Sequence, residues 1–227
     1  MKKGILFTGG LQPDFKIALE YIIPCDFICG ADSGITVAQE NGFCPDVLVG
    51  DMDSISDKSI LIKYPPEKIH IYPRNKDFTD TELGIMELEK AGCDYTVLVG
   101  GGGGRADHFF YLYESFSGRF HPDLWICSQN LIFFVKEKES FSVFLPEGFS
   151  PVNFPVSVFY AGKNTGDQVP LCYGENLTWP VDNLDWGKEA SMSNCPDGRV
   201  FSIRPQRGNF ILVLPLVNGI RFCSSRF

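Results

Sequence analysis

Between residues 4 and 128, short apolar runs alternate with amphipathic stretches, and this alternation limits the fold more than any single motif does. The runs occupy 4–8, 26–30, 47–50, 68–72, 95–100 and 124–128. Several are apolar at consecutive positions, as in strands buried on both faces. The intervening stretches, 14–23, 33–41, 80–91 and 105–116, carry helical spacing. The third opens on Thr79 followed three residues later by Glu82, the pattern that satisfies free N–H groups in a first helical turn. Strand and helix in alternation predict a parallel sheet with helices on its faces.

The second half follows another rule. Apolar runs at 131–135, 141–145, 156–160, 190–193, 200–203 and 210–214 are separated by Pro, Gly, Asn and Asp, with no long helical period. This predicts an antiparallel β domain, a sandwich or roll, of which the β-sandwich is adopted as the expectation. The expected organisation is therefore α/β: a parallel-sheet nucleotide-binding domain over 1–129, then a β-rich domain over 130–227.

The formal net charge is −8. That argues against a general nucleic-acid binder, which needs Lys and Arg to meet phosphates. It is compatible with a nucleotide bound as its magnesium complex, since the metal bridges two sets of negative charge. The eight cysteines include no C-x-x-C pair and do not cluster with the three histidines, so reduced thiols and a cytoplasmic location are expected. The apolar run after Lys2 and Lys3 ends at Thr8-Gly9-Gly10, too short for a signal core, and no stretch is apolar enough to suggest a membrane partner.

Ligands of open α/β sheets bind beyond the carboxyl ends of the strands. Four predicted strands deliver polar or glycine-rich loops there: Ala31-Asp32-Ser33-Gly34, Gly50-Asp51-Met52-Asp53-Ser54, Pro73-Arg74-Asn75-Lys76-Asp77-Phe78-Thr79-Asp80, and Gly100 to Gly104 followed by Arg105-Ala106-Asp107-His108. In an extended segment Asp51 and Asp53 point to one side and suit one magnesium ion. Asp32, Asp77 and Asp80 share the predicted edge, and like charges gathered there call for a cation. The glycines Gly100, Gly101, Gly102, Gly103 and Gly104 suit close backbone approach to phosphate at a helix start. Arg105 suits bidentate pairing with a phosphate oxygen. Asp107 reads as a metal ligand or as the partner that orients Arg105, and His108 as a helix-start residue or a catalyst. Lys76 is either a solvated charge or a neutraliser of a phosphoryl oxygen. The run is not a Walker A loop, because no Lys-Ser or Lys-Thr follows it.

Ala-Asp-Ser-Gly at 31–34, Pro-Asp-Val-Leu-Val-Gly-Asp-Met-Asp-Ser at 45–54, Lys-Asp-Phe-Thr-Asp-Thr-Glu-Leu at 76–83 and Gly-Gly-Arg-Ala-Asp-His at 103–108 resemble, in order and spacing, the blocks of the thiamine pyrophosphokinase family. The resemblance implies transfer of a pyrophosphoryl group from ATP to thiamine, giving AMP and thiamine diphosphate. It implies a homodimer with thiamine bound between subunits. Asp51, Asp53 and Asp80 would be magnesium ligands and catalytic with Arg105; Asp32, Ser33, Lys76, Asp77, Gly102, Gly103, Gly104, Arg105, Asp107 and His108 would face ATP. In the second half, Asn176-Leu177-Thr178-Trp179-Pro180-Val181 and Ser191-Met192-Ser193-Asn194 are similar to family segments, which implies Trp179 near thiamine and hydrogen bonds from Ser193 and Asn194. An aromatic face suits a thiazolium cation. Asn176 stands where the family carries Gly, and Cys195 where many bacterial members carry Glu. The alternatives are a pyrophosphokinase for another heteroaromatic alcohol such as a hydroxymethylpterin, a metal-dependent sugar-nucleotide transferase built on Asp51-x-Asp53, and a non-catalytic nucleotide sensor.

Overall fold

The computed structural model describes every residue except Ser54, Ser56, Arg74, Gly104, Arg105, 163–168, Asn183, 185–190 and Phe227. Met1–Ser128 and Gln129–Phe227 are two compact units.

In the first unit, strands β1 (Lys3–Phe7), β2 (Phe27–Ala31), β3 (Val47–Gly50), β4 (Ile69–Ile71), β5 (Tyr95–Val99) and β6 (Leu124–Cys127) alternate with helices α1 (Phe15–Ile22), α2 (Gly34–Glu40), α3 (Asp80–Lys90) and α4 (Ala106–Ser115). The order across the sheet is β6-β5-β1-β2-β3-β4, and every neighbouring pair is parallel. The sequence runs read as doubly buried are so: Ile5, Leu6, Leu48, Val49, Val97, Leu98, Leu124 and Trp125 have almost no exposed surface. The edge strand β4 differs, being short and ending on the exposed Ile71.

The chain begins in the middle of this sheet. It adds β2, β3 and β4 to one side, then returns to place β5 and β6 on the other. The connections from β1 and β5 thus lead to strands on opposite sides, which makes the carboxyl edge of β1 and β5 the switch point of the sheet. Thr79 starts α3 as expected. Its side chain accepts from the Glu82 N–H at 3.2 Å, and Glu82 Oε2 accepts from the Thr79 N–H at 2.9 Å. This capping box sets Asp80 as the first residue of the helix, where the helix dipole favours a negative charge.

The second unit holds β7 (Asn130–Val135), β8 (Glu139–Phe144), β9 (Val156–Tyr160), β10 (Leu171–Glu175), β11 (Ser191–Asn194), β12 (Val200–Arg207), β13 (Phe210–Pro215) and β14 (Arg221–Arg226). They form two antiparallel sets, β11-β9-β13-β7 and β10-β12-β8-β14. Phe133 of the first set lies 5.1 Å from Phe141 and 4.8 Å from Phe222 of the second, ring centre to ring centre. Two sheets joined by aromatic packing make the expected sandwich. Strands β10 and β14 are not signalled in the sequence. The first carries Gly174, and the second reads Arg-Phe-Cys-Ser-Ser-Arg, mostly exposed, and is held by six residues of register with β8. Pairing with a neighbour, rather than residue preference, makes these strands.

All eight cysteines are free thiols. Burial raises the Cys127 thiol to about 11 and the Cys172 thiol to about 12, and pushes Cys29 well above its usual range. Cys44 and Cys223 are exposed. At pH 8, iodoacetamide should modify Cys44 and Cys223 in the folded protein and reach Cys29, Cys127 and Cys172 only after denaturant is added, as read by peptide mass spectrometry. Equal labelling of all five would contradict the buried thiol positions.

Candidate functional site

At the switch point the loop after β1 meets the glycine run after β5. The Gly101 N–H donates to the Gly9 carbonyl at 2.7 Å, the Leu11 N–H to the Gly102 carbonyl, and the Gly100 N–H to the Ile126 carbonyl at 3.1 Å. Leu11 and Gly102 form an isolated antiparallel bridge. The first glycines thus brace two loops against each other, and the N–H groups of Gly100 and Gly101 are used within the protein. A Cβ on Gly100 would lie 2.6 Å from both the Thr8 carbonyl oxygen and Gln12 Nε2, which is why no larger residue fits. Gly102 packs on Cys127, and Gly103 is exposed with φ +67. Gly104 and Arg105 lie outside the described residues. Asp107 and His108 are exposed in the first turn of α4.

Gln12 is a residue that the sequence reading passed over. Its Nε2 donates to the Thr8 carbonyl at 2.9 Å and to the Gly10 carbonyl at 3.1 Å. Two acceptors fix which end of the amide carries hydrogen. Its Oε1 is buried without a hydrogen-bond partner among the described residues. The rule that found the other loops, polar or glycine-rich residues after a strand, applies equally to Thr8-Gly9-Gly10-Leu11-Gln12 after β1.

The acidic rim lies on the other side of β1. Asp32 follows β2 with φ +48, a backbone region that Asp tolerates better than most residues. Its carboxylate accepts from the Met52 N–H at 3.3 Å and faces the Asp80 carboxylate within hydrogen-bonding reach. Both side chains close on Gly50, whose φ is +132. A Cβ there would collide with Asp32 Oδ1 and stand 3.2 Å from Asp80 Oδ1. Burial, then the negative charge of Asp80, pushes the Asp32 carboxyl up to about 7; Asp51 adds a smaller effect of the same sign. Lys76 supplies the counter-charge, with Nζ 2.7 Å from Asp80 Oδ1 and its side chain only 12% exposed. The solvated reading of Lys76 is thereby set aside.

Asp51 and Asp53 do not lie on a simple extended segment as expected. Met52 adopts φ +58 and buries its side chain against Ile35, Leu48, Ile55, Ile60 and Tyr64. The Asp53 N–H donates to Asp51 Oδ1 at 3.1 Å, so the pair sits on a turn with Asp53 exposed. Among the described residues, no three His, Cys, Asp or Glu side chains are gathered into a group able to hold a metal. The expected set of Asp51, Asp53 and Asp80 is thus not drawn together; Asp32 and Lys76 are what close on Asp80. Asp77 is exposed beside Lys76, and Ser33 precedes α2 next to Gly9, where a Cβ would collide with its hydroxyl. The paired carboxylates of Asp32 and Asp80 offer only oxygen ligands, which fit a hard divalent cation such as magnesium.

In the second unit, Trp179 is 54% exposed. Asn194 is fully buried and fully engaged. Its Oδ1 accepts from the N–H groups of Trp179 (3.1 Å) and Cys195 (2.8 Å); its Nδ2 donates to the Trp179 carbonyl (2.9 Å) and Ser191 Oγ (3.0 Å). All four hydrogen-bonding positions are filled by protein. The expectation that Asn194 reaches a substrate gives way to a different role: it holds the backbone of Trp179. Ser193, at φ +55, is exposed, and its N–H donates to Ser157 Oγ at 3.2 Å. Asn176 has φ +56, a conformation that Asn adopts at modest cost.

Residues 18–123 match the family model described as thiamin pyrophosphokinase, catalytic domain. A thiamine pyrophosphokinase of Bacillus subtilis (strain 168) is 37% identical over 81 residues, which are 35% of this chain and 38% of that relative's length. The solved thiamine pyrophosphokinase from Bacillus subtilis superposes with a TM-score of 0.71 at 21% identity, covering 95% of this chain and 99% of its own. The thiamin pyrophosphokinase from Candida albicans gives 0.66 at 16% identity, covering 95% and 90%. The yeast thiamin pyrophosphokinase gives 0.61 at 14% identity, covering 95% and 86%. At such identities the superpositions establish the fold of the whole chain, while the family model falls within the unit that carries the acidic rim.

The raised Asp32 carboxyl has a consequence for stability. The folded protein keeps this proton from about pH 4, where the unfolded chain releases it, up to about pH 7. The contribution is complete below that window and lost as pH rises through it. Without magnesium or nucleotide, Asp32→Asn should gain melting temperature relative to the parent as pH rises from 4 to 8. A difference independent of pH would contradict the burial of Asp32 against Asp80.

Proposed function

We propose that the protein, whose residues 18–123 match the family model described as thiamin pyrophosphokinase, catalytic domain, transfers a pyrophosphoryl group from ATP to thiamine, releasing AMP and thiamine diphosphate. The observation that carries this reading is the closure of Asp32 and Asp80 on Gly50 at the carboxyl edge of the parallel sheet. Carboxylates so placed favour a bound cation, and this edge is where open α/β sheets receive nucleotides.

The proposed roles follow from position. Asp32 and Asp80, with Asp51 and Asp53 on the adjoining turn, would hold magnesium together with the triphosphate. The bound ion supplies charge neutralisation between carboxylates and phosphates. The alcohol oxygen attacks the β-phosphorus as the bond from that phosphorus to the α-phosphate oxygen breaks, and AMP leaves. Lys76 would pair with a phosphoryl oxygen. Ser33, Asp77, Gly102, Gly103, Asp107 and His108, which follow strands or start helices at the carboxyl edge, would face ATP. The roles of Gly104 and Arg105 rest on the resemblance alone. On the acceptor side, Trp179 offers an exposed ring suited to a cationic thiazolium, and Ser193 an exposed hydroxyl. We also propose a homodimer in the cytoplasm; eight free thiols agree with a reducing compartment. Among the described residues no helix is long and apolar enough to cross a membrane.

Incubation with ATP, magnesium and thiamine should yield AMP and thiamine diphosphate in equal amounts, read by chromatography, and excess chelator should stop it. Product only with a hydroxymethylpterin would reassign the acceptor, and no AMP with any alcohol would overturn the reading. Trp179→Ala should raise the KM for thiamine several-fold, by loss of about 1 kcal/mol of ring contact, and leave the KM for ATP unchanged. Sedimentation at twice 25.4 kDa is the expected result for the dimer, and a single-chain mass would exclude it.

A further inference from the structure

Lys76 and Asp80 occupy the same helix start in different ways. Asp80 is fixed as the first residue of α3 by the Thr79–Glu82 capping box. Lys76 lies four residues earlier, outside the helix, and reaches Asp80 through a four-carbon stem. The oxygen it contacts, Asp80 Oδ1, is also the one that closes on Gly50, where Asp32 Oδ1 lies. The ammonium is thus bound to an oxygen on the inner side of the rim. With 12% and 26% of the two side chains exposed, the pair is shielded from water more than an ordinary surface pair.

A divalent ion coordinated by that oxygen would sit about 2.1 Å from it. An ammonium at 2.7 Å would then lie close enough to repel the ion strongly. Asp80 is held by its helix, so the lysine is the partner that moves. Resting on the reading that this rim receives magnesium with ATP, we propose that Lys76 and the divalent ion compete for Asp80, so that the ion binds tightly only when a triphosphate gives the ammonium another anion. The displaced ammonium then pairs with a phosphoryl oxygen. Linkage makes the effect reciprocal: nucleotide tightens the ion by the factor by which the ion tightens nucleotide.

The test uses Mn²⁺ as the probe, with the free ion followed by electron paramagnetic resonance, on the full chain with and without an α,β-methylene analogue of ATP. Without nucleotide, Lys76→Met should bind Mn²⁺ about tenfold more tightly than the parent, within the usual range of such couplings. The factor by which the analogue improves Mn²⁺ binding should shrink correspondingly. Lys76→Arg keeps the charge and should keep the weak nucleotide-free binding. Should Lys76→Met not fold by circular dichroism, Lys76→Gln serves in its place with the same expectation. Neutral variants that are folded yet bind Mn²⁺ no more tightly than the parent would overturn the proposal. The readout is independent of turnover: a protein that shows this competition but makes no thiamine diphosphate would refute the proposed reaction and leave the competition standing. Normal turnover with no gain in Mn²⁺ binding would do the reverse.

Discussion

The Asp32 carboxylate lies where the side chain of residue 50 would begin, and Asp80 approaches the same point from the start of α3. Two negative groups at such range repel unless a proton or a cation intervenes. Much of the first unit serves to hold them there. The left-handed turns at Asp32 and Met52 re-aim the chain after β2 and β3, the Met52 side chain anchors the second turn in the core, and the capping box fixes the helix that carries Asp80. Lys76 offsets the charge that this geometry concentrates.

The parallel sheet makes such a gathering possible. Six strands that run the same way deliver all their carboxyl ends to one edge, and the return of the chain to the far side of β1 puts the switch point there. The glycine run contributes mainly by letting the β1 and β5 loops touch along their backbones.

The strands and helices of the first unit were legible because short apolar runs alternate there with stretches of helical period, with a clear start signal at Thr79. The sandwich was legible as a class but not strand by strand: Arg221–Arg226 has neither alternation nor strong strand formers, and only its register with β8 makes it a strand. Site chemistry was readable as residue type and loop membership. It was not readable as contact. Nothing in Gly-Asp-Met-Asp reveals that Met52 would enter the core and turn the chain, or that Asp80 would meet Asp32 and Lys76 ahead of Asp53. Gln12 went unnoticed because its role is a side-chain contact, the grip on the Thr8 and Gly10 carbonyls, which residue type alone does not announce.

Asn194 carries one more implication. Since its amide grips the main chain at position 179, the support of this corner of the sandwich does not depend on the indole. The identity of the side chain at 179 can change while its anchorage persists, without rebuilding the framework beneath it.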